Sequence, residues 1–354
     1  MPSPAAILII RPSALGDVCR TVPVLASLRR AYPEARIDWL VQDSFVDAVW
    51  HHPALTAAVP FPRRELGRLL KAGRVGAVSV WVAKLRDAGY EMVFDCQGLA
   101  RSGMLTWMTK APERVGYADA REFGWLGLNR RVDAPATMHT VDRMLELVRA
   151  VGVEPVADMR LFTGPMERAW VTRQAGLWGG NAGYVVMAPT SRWPGKRWPA
   201  ERFAAVAEAV LGMGVGAVAV VGGGDEPEQC RPLLDLAARN PRVVDLVGKT
   251  SVGQLMALIQ GAHLVIANDS AALHMAVGFD RPSVGLFGPT RVDLVGPYQR
   301  HAHSADAVVI QHVEPGDTLD HKHEASGRAI MERIGVDEVL RAADAAMGST
   351  RTGS

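Results

Sequence analysis

The stretch LVIANDSAALHMA, residues 264–276, decides the fold, because an apolar strand in it runs directly into a helix. Short apolar runs of this kind alternate with amphipathic stretches along the whole chain. Strands are predicted at 7–10, 37–41, 57–59, 92–95, 184–188, 217–221, 243–246, 264–268 and 283–287. Helices are predicted at 18–31, 140–150, 200–211, 226–239, 252–261 and 271–277. The alternation predicts an α/β protein with two doubly wound, Rossmann-like parallel sheets.

Segments that contain Gly and Pro separate the two series of elements near residue 165, which predicts a domain boundary there. We expect one domain at 1–165, a second at 166–335, and a C-terminal helix and tail at 336–354. Doubly wound domains bind ligands at the carboxyl ends of their strands. We therefore expect the substrates to react in a cleft between the two domains.

The composition excludes several classes of protein. With 48% hydrophobic and 21% charged residues, the chain is typical of a globular protein rather than a disordered one. The longest apolar runs are too short for a membrane span, and the N-terminus lacks the pattern of a secretory signal. Cys19, Cys96 and Cys230 are widely spaced and form no CxxC pair, so we expect a cytoplasmic protein. A net charge of +2 is too small for a dedicated nucleic-acid binder.

A basic loop, PTSRWPGKRWP at residues 189–199, follows one predicted strand. The hydroxyls of Thr190 and Ser191 and the point charge of Lys196 are suited to holding a phosphate. One alternative is a solvated basic loop, which the two tryptophans argue against. Another is a contact with single-stranded nucleic acid, for which one loop is weak support.

The turn at the start of the helix predicted from residue 271 offers a second phosphate site. Ala271 and Ala272 are small enough for a ligand to approach the free amides and the positive end of the helix dipole. Asp269 or Ser270 is suited to capping the helix, and His274 to an interior position. A capped turn of this kind is compatible with phosphate binding.

A third loop, Gly222-Gly223-Gly224, is followed by Glu226 and Glu228. Both acids suit the helix dipole, and either is a candidate partner for ribose hydroxyls. The loop is not a GxGxxG motif, and the chain lacks a complete Walker A loop, a GxSxG elbow and an HExxH pair. The sequence therefore argues against hydride transfer, P-loop hydrolysis and esterase chemistry.

In the first half, the loop RPSALGD at residues 11–17 places Asp17 at the carboxyl end of the first strand. Asp17 is suited to capping the following helix. It is equally suited to removing a proton from a hydroxyl as a general base. The position alone favours neither role.

Two further regions are unusual in composition. Seven basic residues stand against one acid between residues 63 and 86, beginning with Arg63, Arg64 and Arg68. They form either a solvated helix face or a docking surface for an anionic lipid or acceptor. Five histidines lie between His301 and His323, but they lack acidic or cysteine partners at fixed spacing. We therefore expect no metal site there.

Five motifs together carry a family resemblance: ILIIRPSALGDV (7–18), APTSRWPGKRWP (188–199), VVGGGDEPE (220–228), LVGKTSVGQLMALIQGAHLVIANDSAALHMA (246–276) and LFGPTRVDLVGPY (286–298). Through them the chain resembles glycosyltransferase family 9, the lipopolysaccharide heptosyltransferases. The resemblance implies a GT-B fold with an N-terminal acceptor domain and a C-terminal donor domain. It also implies inverting, metal-independent transfer from a nucleotide-diphospho-sugar, with ADP-heptose as the expected donor. The implied acceptor is the lipopolysaccharide inner core at the cytoplasmic face of the inner membrane.

The resemblance further implies a division of labour. Asp17 corresponds to the catalytic aspartate of the family, which takes the proton of the acceptor hydroxyl. Lys196, with Thr190 and Ser191, corresponds to the residues that stabilise the departing diphosphate, aided by the helix that begins near Ser270. No divalent cation or other cofactor is then required, and domain closure excludes water.

Asp269, Ser270 and His274 match the donor motif of the family, but Ala271 replaces a glycine of that motif. The nucleotide base, the sugar, the acceptor and the oligomeric state stay open. The alternatives are a transferase that uses another nucleotide sugar on a different glycan, a non-catalytic nucleotide-sugar sensor, and a sugar-nucleotide epimerase. The presence of Asp17 beside the donor motifs favours a transferase, with peripheral contact to the inner membrane.

Overall fold

The computed structural model describes residues 3–178, 182–298 and 307–351. The chain divides into two compact units, with the boundary between Phe162 and Thr163. Each unit contains one six-stranded parallel sheet.

The sheet of the first unit is built around a fully buried central strand. Its strands are β1 (Ala6–Ile10), β2 (Arg36–Gln42), β3 (Ala57–Phe61), β4 (Met92–Asp95), β5 (Glu113–Tyr117) and β6 (Arg130–Val132). They lie in the order β3-β2-β1-β4-β5-β6, and β1 buries every residue, as expected where helices cover both faces. Ile7 is in register with Ile37 of β2 on one side and with Met92 of β4 on the other. The winding reverses between β1 and β4, so the loops after these strands meet at the carboxyl edge.

The helices of this unit are α1 (Leu15–Ala31), α2 (Arg63–Lys71), α3 (Val75–Asp87), α4 (Ala100–Met108) and α5 (Thr140–Arg149). Helix α1 packs against α5. Helix α2 buries Leu66 against the core and leaves its arginines exposed. One core cluster of this unit joins Leu8 and Ile10 of β1 to Val93 of β4.

The second unit repeats the same topology. Its strands are β7 (Tyr184–Ala188), β8 (Ala217–Val220), β9 (Val243–Asp245), β10 (Leu264–Asn268), β11 (Ser283–Leu286) and β12 (Ala307–Ile310). The order β12-β11-β10-β7-β8-β9 equals that of the first sheet when it is read in reverse. The winding therefore reverses between β7 and β10, and the loops after these two strands meet.

Eight helices follow in this unit within the described residues: α6 (Pro165–Leu177), α7 (Ala200–Gly212), α8 (Arg231–Arg239), α9 (Val252–Gln260), α10 (Ala271–Gly278), α11 (Val292–Val295), α12 (Glu324–Glu332) and α13 (Val336–Arg351). The last helix packs on α7 and β11 and buries Val339, Ala343 and Ala346 in the core of this unit. Among the helices of the described ranges, none has the length and apolar character needed to cross a bilayer.

The structure corrects the predicted elements in two respects. The helix predicted at 226–239 is a 3-10 turn, Pro227–Cys230, followed by α8. Because a proline lacks an N–H, it is favoured in the first turn of a helix, and Pro227 and Pro232 mark two separate starts. Strands β5, β6 and β12 were absent from the prediction. Both β6 and β12 are edge strands. Strand β6 has 3 residues, of which two are arginines, and β12 is apolar but has only 4 residues.

Candidate active site

Asp17 lies in the first turn of α1, directly after the loop that leaves β1. Arg11 Nη2 lies 3.0 Å from its Oδ2, and Arg20 donates to its Oδ1. The N–H of Ala14 also donates to Oδ2, at 3.2 Å. Asp17 thus makes a helix-capping contact while a quarter of its side chain, 25%, stays accessible.

The two arginines set the charge of this carboxyl group. Burial would raise the pKa of Asp17, but Arg11, Arg20 and the Ala14 amide together hold that pKa far below its ordinary value. Asp17 is therefore ionised at any physiological pH and is a weak base. It can accept a proton efficiently only from a hydroxyl that becomes acidic as its oxygen forms a new bond.

The loop after β4 supports Asp17 through Arg11. Arg11 donates to the carbonyl oxygen of Cys96, and the N–H of Ser13 donates to Gln97 Oε1 at 3.4 Å. These contacts join the loops after β1 and β4, as the strand order predicts. Arg11 was not among the site residues predicted from the sequence. The sequence feature that could have identified Arg11 is its position as a charged residue immediately after an apolar strand.

Asp95, the last residue of β4, is a second residue that the sequence analysis missed. It is fully buried and accepts hydrogen bonds from the N–H groups of Gln97 and Gly98, both at 3.0 Å, and from Ser102 Oγ at 2.9 Å. Burial raises the pKa of Asp95 to about 6. In the sequence, Asp95 is recognisable as an aspartate at the end of a predicted strand, much as Asp269 directly follows the strand that ends at Asn268.

In the second unit, Lys196 and Asp269 form a largely buried ion pair. Lys196 Nζ lies 2.7 Å from Asp269 Oδ2, and the two side chains are 15% and 7% exposed. Thr290 Oγ1 donates to the same carboxylate oxygen at 2.8 Å. Burial would raise the pKa of Asp269, but Lys196, with help from His274 and Thr290, lowers it. The carboxylate therefore orients the Lys196 ammonium, and Thr290 is a partner that the sequence analysis did not name.

The loop at 189–199 is packed rather than solvated. Asn268, the last residue of β10, donates from Nδ2 to the carbonyl oxygen of Pro189 at 2.5 Å. Its Oδ1 accepts from the N–H of Trp198 at 3.2 Å. The buried Trp198 ring donates in turn to the carbonyl oxygen of Ile334 at 3.0 Å. Asn268 thereby joins the loops after β7 and β10.

Three glycines allow the turn that carries Lys196, Pro194–Lys196, to approach its neighbours closely. A Cβ added at Gly327 of α12 would lie 2.5 Å from the carbonyl oxygen of Gly195. A Cβ at Gly288, after β11, would lie at the same distance from that oxygen. Real Cβ atoms do not approach oxygen so closely, so only glycine permits this packing.

The N-terminus of α10 has the features expected of an anion site. Ser270 is its N-cap residue, and the Ser270 Oγ is buried without a hydrogen-bond partner among the described residues. Ala272 follows in the first turn and is buried, as are Thr190 and Ser191 in the neighbouring loop. A ligand oxygen would satisfy the Ser270 hydroxyl together with the first-turn amides.

The structure separates the two acids proposed for ribose. Glu226 Oε2 accepts from the N–H of Gly223 at 2.7 Å and so stays at the carboxyl end of β8, next to β7. Glu228 forms an ion pair with Arg231, and its side chain is 80% exposed. Of the two, Glu226 lies in the strand-end loop and Glu228 on the surface.

The three arginines proposed to bind the acceptor lie on the exposed face of α2. They line an open groove of ≈ 660 Å³ whose walls are formed by Gln42, Arg63, Arg64, Gly67, Arg68 and Lys71. The N–H of Gln42, at the end of β2, donates to the carbonyl oxygen of Pro12 at 3.0 Å. The groove therefore adjoins the loop that leads to Asp17.

The histidine-rich segment forms no metal centre within the described ranges. His312 Nε2 lies 2.8 Å from Glu338, the ring of His321 packs against Trp193, and His323 caps α12. His301 and His303 lie outside the described residues. Within residues 3–178, 182–298 and 307–351, no three histidine, cysteine, aspartate or glutamate side chains are grouped so that they could hold a metal ion.

Comparison with known proteins gives consistent matches. The family model "Glycosyltransferase family 9 (heptosyltransferase)" matches residues 80–319. Lipopolysaccharide heptosyltransferase 1 of Pseudomonas aeruginosa is 29% identical over 301 residues, which cover 83% of this chain and 81% of the relative.

Solved structures match over almost the whole chain. Escherichia coli ADP-heptose lipopolysaccharide heptosyltransferase II aligns with a TM-score of 0.79 at 22% identity, covering 98% of this chain and 99% of that one. E. coli heptosyltransferase WaaC with ADP-2-deoxy-2-fluoro heptose aligns with a TM-score of 0.74 at 22% identity, covering 96% and 99%. At this level of identity, the similarity establishes a shared fold.

Proposed function

Because the chain belongs to glycosyltransferase family 9 and has the GT-B fold of a glycosyltransferase, we propose that it transfers heptose from ADP-heptose to a lipopolysaccharide core acceptor. The observation that carries this proposal is the ion pair of Lys196 and Asp269 beside the N-terminus of α10. The ion pair supplies an oriented cation, and the first turn of α10 supplies free amides. Both lie where the winding of the sheet reverses, which is where doubly wound folds bind nucleotides.

The second unit is proposed to bind the donor. Lys196 would neutralise the diphosphate, and the hydroxyls of Thr190, Ser191 and Ser270 would donate to its oxygens. The first-turn amides at Ala271 and Ala272 would complete the site. Because Asp269 is negatively charged, its proposed role is to orient the ammonium group of Lys196 rather than to contact the phosphate. Glu226 is preferred to Glu228 for ribose, and His274 stays a candidate for the sugar end of the donor.

Asp17 is proposed as the general base of an inverting reaction. The acceptor oxygen attacks the anomeric carbon, the bond from that carbon to the diphosphate breaks, and the hydroxyl proton passes to Asp17. Attack from the face opposite the leaving group inverts the configuration. The low pKa of Asp17 suits this step, because the attacking oxygen becomes acidic only as the new bond forms.

The transfer is proposed to need no divalent metal. Negative charge grows on the diphosphate as it leaves, and a cation or oriented donors must stabilise it. Lys196 and the α10 amides are suited to that role.

The acceptor is proposed to bind the groove on α2, where Arg63, Arg64 and Arg68 would contact anionic groups. A lipopolysaccharide acceptor carries a lipid, so the proposal includes peripheral contact with the inner face of the cytoplasmic membrane.

A product assay tests the function. The purified protein is incubated with ADP-heptose and a heptose-free lipopolysaccharide core acceptor, and the product is identified by mass spectrometry. We expect release of ADP and a gain of one heptose on the acceptor. Thermal-shift measurements with ADP, UDP and GDP provide the comparison, and stabilisation by UDP or GDP but not by ADP would contradict the choice of donor.

A further inference from the structure

Helix α4 and the segment after β5 form an exposed apolar surface in the first unit. Among the described residues, Met104 and Trp107 are both 50% exposed, Phe123 is 73% exposed and Leu126 is 63% exposed. We call these four residues the apolar patch. They line one cavity of ≈ 360 Å³, together with Ala100, Glu122, Gly124 and Gly127.

The backbone holds the patch rigidly. Phe123 adopts a left-handed conformation with φ of 61°, which costs free energy in a residue with a Cβ and turns its ring outward. Gly103 of α4 packs so closely on Gly124 and Gly127 that a Cβ at Gly103 would collide with the carbonyl oxygen of Gly124. The apolar side chains are therefore presented by a packed framework rather than by a loose loop.

Three basic residues flank the patch, and one exposed acid, Glu122, lies in its lining. Lys110 Nζ stands 3.6 Å from the centre of the Trp107 ring, and Arg131 lies 4.4 Å above the ring of Trp125. Arg101 is exposed on the first turn of α4. Tryptophan rings, aliphatic side chains and basic residues together are typical of protein surfaces that bind at the boundary between lipid headgroups and acyl chains.

The patch extends from the carboxyl edge of its sheet, where α4 begins, toward the amino edge, where Arg114 Nε of β5 donates to the carbonyl oxygen of Gly127 at 2.9 Å. Helix α4 follows the end of β4, and the 118–124 segment follows the end of β5. The N–H of Arg121 donates to the carbonyl oxygen of Gly98 at 3.0 Å, in the loop that also supports Arg11. The Phe123 end of the apolar patch therefore lies at the same edge of the sheet as Asp17.

We propose that the apolar patch is a membrane-docking surface that inserts Phe123, Leu126, Met104 and Trp107 into an anionic lipid surface. The flanking cations contact the phosphate headgroups, and the bilayer brings a lipid-linked acceptor to the edge that carries Asp17. The inference extends the membrane contact in the proposed function, but lipid binding needs neither donor nor acceptor, so the two can fail separately.

Vesicle flotation of the full chain tests the proposal. The vesicles contain phosphatidylglycerol or phosphatidylcholine alone. The double variant Phe123→Ser/Leu126→Ser should bind phosphatidylglycerol vesicles roughly tenfold more weakly than the wild type. Trp107→Gln, on the neighbouring helix, is a second variant and should also bind more weakly. Both should keep the thermal unfolding midpoint of the wild type, because the side chains are exposed.

Matched controls separate the patch from other surfaces. The double variant Trp50→Ser/Met166→Ser removes two other exposed apolar side chains, 55% and 80% exposed, and should bind like the wild type. Arg101→Gln/Lys110→Gln should weaken binding to the anionic vesicles alone.

Three results would overturn the proposal. One is unchanged vesicle binding by both patch variants. Another is that vesicle binding is lost in the triple variant Arg63→Glu/Arg64→Glu/Arg68→Glu but is kept in the patch variants. The third is a dimer in sedimentation velocity that Phe123→Ser/Leu126→Ser dissociates, since the patch would then bind a second copy of the chain.

Discussion

Asp17 combines a fixed charge with weak basicity, because Arg11 and Arg20 both contact its carboxylate. Asparagine at this position would keep the size and the hydrogen bond from Ala14 but could not take a proton. We expect Asp17→Asn to lower kcat by about 10²- to 10⁴-fold. The affinity for ADP, measured by calorimetry, should stay unchanged. Asp87→Asn, at an exposed end of α3, should keep full turnover, and wild-type turnover in Asp17→Asn would remove Asp17 from the base role.

Lys196 and Asp269 form an ion pair, and a double variant can separate its contribution to stability from its contribution to nucleotide binding. Lys196→Ala leaves a buried carboxylate unpaired and should destabilise the fold by about 3–5 kcal/mol. Adding Asp269→Asn removes that charge and should restore much of the stability. Nucleotide affinity should fall in both variants, because each lacks the ammonium group. Calorimetry with ADP and chemical denaturation would measure the two effects, and wild-type ADP affinity in Lys196→Ala would refute the phosphate role.

Asp95 should make the stability of the protein depend on pH. Its pKa of about 6 lies above the ordinary 3.8, so the folded protein holds this proton more tightly than the unfolded chain. The contribution of Asp95 to the free energy of unfolding is present at low pH and is lost as the pH rises from about 4 to 6. Relative to the wild type, Asp95→Asn should therefore gain about 2 kcal/mol in unfolding free energy between pH 4 and pH 7. A pH-independent difference in denaturation between the two proteins would contradict this.

At the residue scale, the sequence was informative about the loops that follow strands, and Asp17, Lys196 and Asp269 were predicted from such loops. Thr290 and Arg11 were not predicted. Their roles depend on the loops that the fold brings beside them, and spacing along one chain does not contain that information. The choice between Glu226 and Glu228 also stayed open. The directions of their side chains depend on the 3-10 turn that begins at Pro227, which was not predicted from the sequence.

At the scale of elements, the position of Lys196 depends on how closely α12 approaches the Pro194–Lys196 turn. Gly327→Ala would place a methyl group 2.5 Å from the Gly195 carbonyl oxygen and should displace the turn. We expect a loss of about 1–3 kcal/mol in stability and weaker ADP binding. Gly212→Ala, where no atom lies within 4 Å of the added Cβ, is the matched control and should leave ADP binding unchanged. Equal ADP affinity in the two variants would show that α12 does not position Lys196.

The elements that the sequence predicted best are the buried central strands. The ranges predicted for β1, β4, β7 and β10 agree with the observed strands to within one residue, because each is an uninterrupted apolar run. The edge strand β6 was missed because it is only 3 residues long and two of them are arginines. Helix α4 was missed as well, since two of its exposed positions, Met104 and Trp107, are apolar and blur its amphipathic pattern.

For the whole molecule, two sheets of identical strand order bring different chemistry to their carboxyl edges. The first carries an ionised carboxylate among arginines, and the second carries a lysine beside a helix N-terminus. The repeated alternation of strands and helices predicted this doubly wound architecture correctly. Which loops meet could be predicted only in general terms, because strand order is a property of the folded sheet.

Charge balance in the second unit leads to a prediction about metals. If Lys196 and the α10 amides stabilise the leaving diphosphate, EDTA should leave kcat unchanged in the product assay. Added Mg²⁺ should then not increase it. Loss of activity in EDTA with recovery on adding a divalent ion would show that the leaving group requires a metal.

The contact from Arg11 to the Cys96 carbonyl also has a consequence for synthesis on the ribosome. Arg11 and its acceptor are 85 residues apart, and β4 must join β1 before they can meet. A nascent chain that has not yet exposed residue 96 cannot complete the support of Asp17. The loop at 11–17 is translated before residue 96, yet it should gain protection from hydrogen exchange only after β4 has joined β1.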